Sequence, residues 1–413
     1  MTMPGRERCD GHRVLLVGGK PDRALHALRD LGASVTCVAS VKHAAKLSGG
    51  ALVDAAVAVR NPADAEDVML GLSRHGIRVE EFDVVTSALE FGLVAASVIG
   101  SAVSVRSLPL RTAVLLRDKP SQKRALLDAG IRVASSEVFV APDDLEGAVA
   151  RVGGLPVVVK PTDGAGAGDT EMIRSADDLR GWSARARPRP WLCESFVVGD
   201  ELHLDGVVRN GTLRSVCTSR YFAPMIGVYD GELSGSAMLG AERSDIVSLA
   251  AETCMAQVVA ALDLQDCVFH AEMFEQADGS VVFGEIGGRV GGGRIDEMVR
   301  RGTGVDLHSA WAAAALGVEE AFRADRSPGL VFGNLDLRTD PGTIVTLPSV
   351  EEIMGRSGVV DAELKLRPGD SMEAVADTNT RAGRAVFAAD TWSQAREAAV
   401  TLDAWFRSRT VLA

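Results

Sequence analysis

The sequence predicts a multidomain protein of mixed α/β and α+β architecture, on three observations. Its 413 residues exceed what one hydrophobic core commonly holds, at roughly 100–200 residues per domain. Near the N-terminus an apolar strand, a helical stretch and a second strand alternate, the pattern of a parallel sheet with helices on its faces. Beyond Val157, strands bounded by turn residues follow one another directly, as antiparallel strands do.

The elements follow in order. Arg13–Gly19 (RVLLVGG) reads as a strand, Arg23–Leu31 as a helix and Ser34–Val38 as a second strand. The glycines fit neither G-x-G-x-x-G nor G-x-x-x-x-G-K-[ST], so this unit carries no nucleotide motif. Asp83–Ser87 ends a further strand and leads into a buried-type helix over Ala88–Gly100, closing a first domain at 1–110. A helix over Ser121–Ala129 and the β-branched strand Val157–Lys160, stopped by Pro161, open a second unit at 111–328. Its strands are expected at Trp191–Val197, Leu202–Val208, Leu213–Ser219, Val268–Phe274 and Val281–Ile286. Strands at Val331–Leu337 and Gly342–Leu347 and a helix at Ser393–Phe406 make a smaller third module, 329–413.

Composition narrows the function. A net charge of -12 without a basic block opposes nucleic-acid binding. Six cysteines with no C-x-x-C pair suggest neither a zinc site nor a disulfide framework, and point to a reducing compartment. Met1–His12 lacks the apolar core of a signal peptide. The apolar run Phe91–Val105 falls short of the roughly 18–20 residues that span a bilayer. A cytoplasmic protein without a membrane segment is expected.

Lys160 ends a buried-type strand just before a loop in which Gly164, Gly166 and Gly168 let backbone N–H groups approach a phosphate; a plain surface turn is the alternative. Glu194 and Glu201 flank the next turn. Asp278-Gly279 between two apolar strands signals a two-residue hairpin pairing Ala277 with Ser280, and counting outward sets Glu272 opposite Glu285. Two carboxylates so placed have Cβ atoms about 4.5–5.5 Å apart and repel unless a cation lies between them. The same count sets His270 opposite Gly287 and leaves Arg289 on the face of Glu285, suited to an oxyanion or a transferring phosphoryl group.

Lys160 with its glycine loop, then Glu194 and Glu201, then Glu272 and Glu285, resembles the ATP-grasp superfamily over nearly the whole chain. The resemblance implies a nucleotide between two α+β lobes, with Lys119 of Asp118-Lys119 and Lys160 on the phosphates. It implies Glu194 near the adenine amino group, Val197 at the hinge and Glu201 on the ribose. Glu272 and Glu285 would hold Mg2+, or Mn2+ in its place, and Arg289 matches the active-site arginine. Gly287 departs from the pattern, since many relatives carry asparagine there. Gly291–Arg294 lies where related enzymes receive the acyl substrate, so Arg294, with its bidentate fork, is a substrate candidate beside His203 and His270. A Rossmann-like first domain, an ATP-grasp second and a C-terminal cap third resemble the carboxylate–amine ligases. The implied activity is ATP-dependent amide or peptide bond formation through an acyl phosphate, releasing ADP and phosphate. The partners are a small-molecule carboxylate and amine, amino-acid-like, and a homodimer is compatible. A biotin carboxylase-type enzyme and a non-catalytic ATP-binding regulatory module are the alternatives.

Overall fold

The strands Arg13–Val17, Ser34–Ser40 and Ala55–Val59 are largely apolar, as strands covered on both faces must be. With Val84–Thr86 they form a parallel sheet in the spatial order 55–59, 34–40, 13–17, 84–86. The helices Arg23–Asp30, Ala65–Arg74 and Leu93–Ala102 pack on it. The first two begin at aspartates, Asp22 and Asp64, whose carboxylates accept the free N–H groups of the first turn. The single helix expected over Ala88–Gly100 is instead a 3-10 turn, Glu90–Gly92, followed by Leu93–Ala102.

The computed structural model describes residues 11–19, 22–164, 166, 168–240, 244–319, 329–374 and 380–413. Most of the N-terminal tail read from Met1–His12, and Ala165 and Ala167 of the glycine loop, therefore lie outside the described residues.

Two further sheets carry the chemistry. A four-stranded antiparallel sheet joins Ser136–Phe139, Trp191–Ser195, Val157–Pro161 and Glu171–Ile173 in that order. Helices Leu145–Val152 and Ala176–Arg185 cover it over a core of Phe139, Trp182 and Trp191, whose rings meet edge to face. An eight-stranded sheet runs in the order 281–287, 267–275, 200–209, 212–221, 235–238, 331–337, 383–389, 359–364, antiparallel throughout. Helices Ser244–Ala261 and Leu307–Leu316 pack against its first half and Trp392–Arg409 against its second. Of the segment read as a third module, the strands 331–337, 359–364 and 383–389 thus continue the sheet of the second, while Gly342–Thr346 pairs with 371–372 and 411–412 in a small antiparallel sheet of its own. Among the described residues, no helix is long and apolar enough to cross a membrane, and Cys37, Cys193, Cys217, Cys254 and Cys267 are buried and free.

Candidate active site

A cavity of about 710 Å³ opens between the two antiparallel sheets. It is lined by Lys119, Lys160, Gly164, Gly166, Glu194, Val197, Glu201, His270, Glu272, Glu285, Arg289 and Arg294, from segments scattered over 175 positions of the chain. Of the residues singled out in the sequence, Gly168 and His203 do not line it.

At one end, charges of both signs are packed together. The helix expected from Ser121 begins earlier, at Lys119, because Asp118 caps it by accepting the Ser121 N–H at 2.9 Å and Pro120 sits in its first turn. That start sets Lys119 and Lys123 one turn apart on the buried face, with Gln122 between them. Lys123, absent from the sequence reading, lies 3.1 Å from Glu194 and donates to the Gly284 carbonyl at 2.9 Å. Its signal was the spacing of four from Lys119, hidden while the helix start was placed too late. Lys160 reaches Glu194 and Glu285, each at 3.2 Å, and Lys119 lies 3.5 Å from Glu285. Burial alone would push both carboxyls up, but Lys123 and Lys160 hold Glu194, and Lys119 and Lys160 hold Glu285, below the usual carboxylate range. Gln122 grips the edge strand from the same helix, donating to the Ile286 carbonyl at 2.8 Å and accepting its N–H at 2.9 Å.

Glu272 does pair with Glu285, but by another route than the one counted. The turn holds three residues, with the Gln276 N–H donating to the Ser280 carbonyl at 2.8 Å and Gly279 at φ +79°. Near the turn the register is therefore one residue off: Met273 faces Phe283 and Glu275 faces Val281. A bulge at Gly284 then restores it, so that Glu272 faces Glu285 and His270 faces Gly287. The bulge needs glycine, since a Cβ there would stand 2.9 Å from the Glu272 carbonyl oxygen. The repulsion expected between the carboxylates is relieved on the Glu285 side by Lys119 and Lys160. Glu272 has its own neighbours: the Tyr221 hydroxyl donates to it at 3.5 Å, and His270 Nε2 lies 3.7 Å away. Two carboxylates on adjacent strands are a donor set that suits a hard divalent cation.

Glu201 is buried and accepts the Met225 N–H at 2.8 Å. Burial, and then the charge of Glu272, push its carboxyl up to about 8. Arg289 is held by Glu90, whose carboxylate accepts from its Nε at 2.9 Å, and Arg117 lies 3.5 Å from the same carboxylate. Glu90 also was absent from the sequence reading; an acid inside the apolar stretch Ser87–Leu93 was its only signal. It fills the space left by Gly287, where a Cβ would meet its Oε2 at 2.8 Å.

The opposite end is walled by both charge signs from distant segments. Arg294, expected to present its fork to a ligand, pairs instead with Asp361 and lies 3.9 Å from Glu363. Asp336 accepts from Arg384 Nε at 3.1 Å and lies 3.6 Å from Arg381. Behind the wall, His203 is sealed from the cavity, bonded through Nδ1 to Asp205 at 2.6 Å and through Nε2 to the Ser236 hydroxyl at 2.7 Å. His270 bonds the other oxygen of Asp205 at 2.9 Å. Asp205 thereby overcomes the effect of burial and raises the His270 imidazole to about 9.

With this geometry in hand, residues 337–410 match the family model described as L-amino acid ligase C-terminal domain 2. The L-arginine-specific L-amino acid ligase of Bacillus subtilis is 24% identical over 331 residues, 78% of this chain and 79% of that protein. The crystal structure of an L-amino acid ligase from Bacillus licheniformis superposes with a TM-score of 0.80 at 19% identity, covering 98% of this chain and 99% of that one. A carboxyaminoimidazole ribonucleotide synthase from Aspergillus clavatus complexed with ATP gives 0.74 at 18% identity, covering 96% and 100%.

Proposed function

We propose that the chain is an ATP-grasp carboxylate–amine ligase that activates an amino-acid-like carboxylate with ATP and joins it to the amine of a second such molecule, a reading supported by its likeness to L-amino acid ligases in sequence and in fold. The observation that carries this reading is one cavity with a lysine and carboxylate cluster at one end and, at the other, a wall of both charge signs suited to a zwitterion.

Lys119, Lys123 and Lys160 would neutralise the phosphates, beside the loop that carries Gly164 and Gly166. Val197 would meet the adenine, Glu194 its amino group and Glu201 the ribose. Glu272 and Glu285 are the residues that would hold magnesium, whose role when bound is to offset phosphate charge. Arg289, oriented by Glu90, would stabilise the transferring phosphoryl group. A carboxylate oxygen of the first substrate attacks the γ-phosphorus and ADP leaves. The amine of the second then attacks the acyl carbon, phosphate departs and the amine nitrogen loses a proton. We also read the modules as a Rossmann-like unit at 1–110, the ATP-grasp unit at 111–328 and a cap at 329–413 joined edge to edge to its sheet.

Phosphate release from ATP, screened against L-amino acids singly and in pairs with product masses measured, tests the reading. A pair-dependent release with a product one water lighter than the sum of the two is expected. Tight ATP binding without release for any acid would favour a binding module, and AMP with pyrophosphate would overturn the acyl phosphate.

A further inference from the structure

The three glycines Gly291–Gly293 lie on a buried polar chain that the proposed chemistry does not use. Its hydrogen-bond directions follow from one end. The Gly293 carbonyl can only accept, so the Asn334 amide turns its Nδ2 toward it, at 2.7 Å. Oδ1 of Asn334 then faces Ser236 and accepts from both its backbone N–H at 2.9 Å and its hydroxyl at 2.7 Å. With its proton so placed, the Ser236 oxygen accepts from His203 Nε2 at 2.7 Å, and His203 Nδ1 lies 2.6 Å from Asp205 Oδ2. The second oxygen of Asp205 takes His270 Nδ1 at 2.9 Å, which turns His270 Nε2 toward Glu272. Asn334, Ser236, His203, Asp205 and His270 are each at least nine-tenths buried.

The loop touches this chain at both ends. A Cβ on Gly291 would stand 2.5 Å from Asp205 Oδ1 and 3.0 Å from His270 Nδ1, and one on Gly293 would stand 2.9 Å from Asn334 Nδ2. A Cβ on Gly292, between them, would meet nothing within 4 Å. The backbone is therefore pressed onto the polar chain where side chains are missing, and Arg294 follows at φ +72°.

We propose that Asp205, His203, Ser236 and Asn334, with His270, are positioning residues that seat the Gly291–Arg294 loop in the conformation that receives the acyl substrate. The inference rests on the functional reading above for the substrate and on geometry alone for the seat. Ser236, His203 and Asp205 do not line the cavity and so act through the loop, while Asn334 and His270 also reach the cavity wall. A buried network bonded in series from Asn334 to His270 holds the loop in one arrangement, and breaking one link leaves a buried donor or acceptor unpaired.

Two variants of the full chain test it, Ser236→Ala, which removes a link remote from the cavity, and Asn334→Asp, which keeps the shape but opposes an acceptor to the Gly293 carbonyl. Backbone hydrogen exchange over 288–295 should rise about tenfold in both. The KM for the amino acid should rise about tenfold, while the KM for ATP stays within about twofold. Exchange unchanged in both variants overturns the seat, whatever the enzyme acts on. Faster exchange with an unchanged amino-acid KM overturns its link to the substrate. A parallel rise of both KM values would mark a general loss of packing and would also overturn the proposal. If the unmodified protein turns over with no amino acid, the functional reading has failed, and the exchange arm still decides the seat.

Discussion

The two ends of the cavity both carry charges of both signs but are built on different principles. At the lysine end, each charged residue sits at a strand end, in a hairpin or on the first turns of a capped helix, close in sequence to the glycines and turns that mark it. At the opposite end Arg294, Asp336, Asp361, Glu363, Arg381 and Arg384 come from strands and a loop that share no local pattern, and they meet only because the eight-stranded sheet runs on into 331–389. The difference separates a site made by local structure from one made by sheet order.

The largest effect should come from the acids of the lysine end. Glu285→Gln removes a charged oxygen and leaves Lys119 and Lys160 with less anionic charge around them, so carboxylate-dependent turnover should fall at least about a hundredfold. A magnesium titration of turnover for this variant and Glu272→Gln checks it. Turnover and magnesium dependence like those of the unmodified protein would break the assignment of this end to the metal.

Lys123→Met comes next. It takes a cation from Glu194, which stays buried with Lys160 alone, and leaves the Gly284 carbonyl without its donor. ATP affinity should weaken about tenfold and the protein should melt earlier, since a buried charge is left partly uncompensated. Isothermal titration with ATP and a thermal melt measure the two, and an unchanged affinity would confine Lys123 to a packing role.

Substitution at the opposite end should be milder and should act on the other substrate. Asp361→Asn loosens Arg294 while keeping side-chain shape, and the KM for an amino-acid substrate should shift by about threefold to tenfold with the KM for ATP unchanged. A shift confined to ATP would erase the distinction between the ends.

The smallest effect is on stability alone. Glu297, on the helix Ile295–Thr303 that follows the glycine loop, accepts from Arg300, Arg301 and Arg23. Burial would raise its carboxyl, but the arginines bring it down to about 2. A carboxyl depressed in the folded state stabilises above its unfolded value, near 4.5, and that contribution is lost as pH falls from there toward 2. Denaturant midpoints between pH 6 and 2.5 should fall less steeply for Glu297→Gln than for the unmodified protein. Parallel curves would show that the clasp adds nothing.

Legibility followed the range of the interactions. The hairpin turn was read as two residues and is three, yet Glu272 still faces Glu285 because the bulge at Gly284 inserts the residue that the turn misplaced. A bulge is set by the close approach of the neighbouring strand, here the Glu272 carbonyl, and no residue pattern within the strand announces it. Lys123 lay within reach of helical spacing and was missed by a helix start placed two residues late.

What the sequence determined by itself was local: an opening parallel βαβ unit, antiparallel strands beyond Val157, a lysine ending one strand and carboxylates on the next ones. Those follow from side-chain periodicity and from turn residues, whose energetics act over a few bonds. Only the tertiary structure decided that Arg294 turns to Asp361 and that Glu90 fills the space beside Gly287. It also decided that His203, two residues from Glu201, is sealed behind the cavity wall and bonded to Ser236. Each of these joins residues between 30 and 200 positions apart in the chain. Their pairing is set by sheet order and by the need to satisfy buried polar atoms, and neither leaves a periodic trace in the sequence.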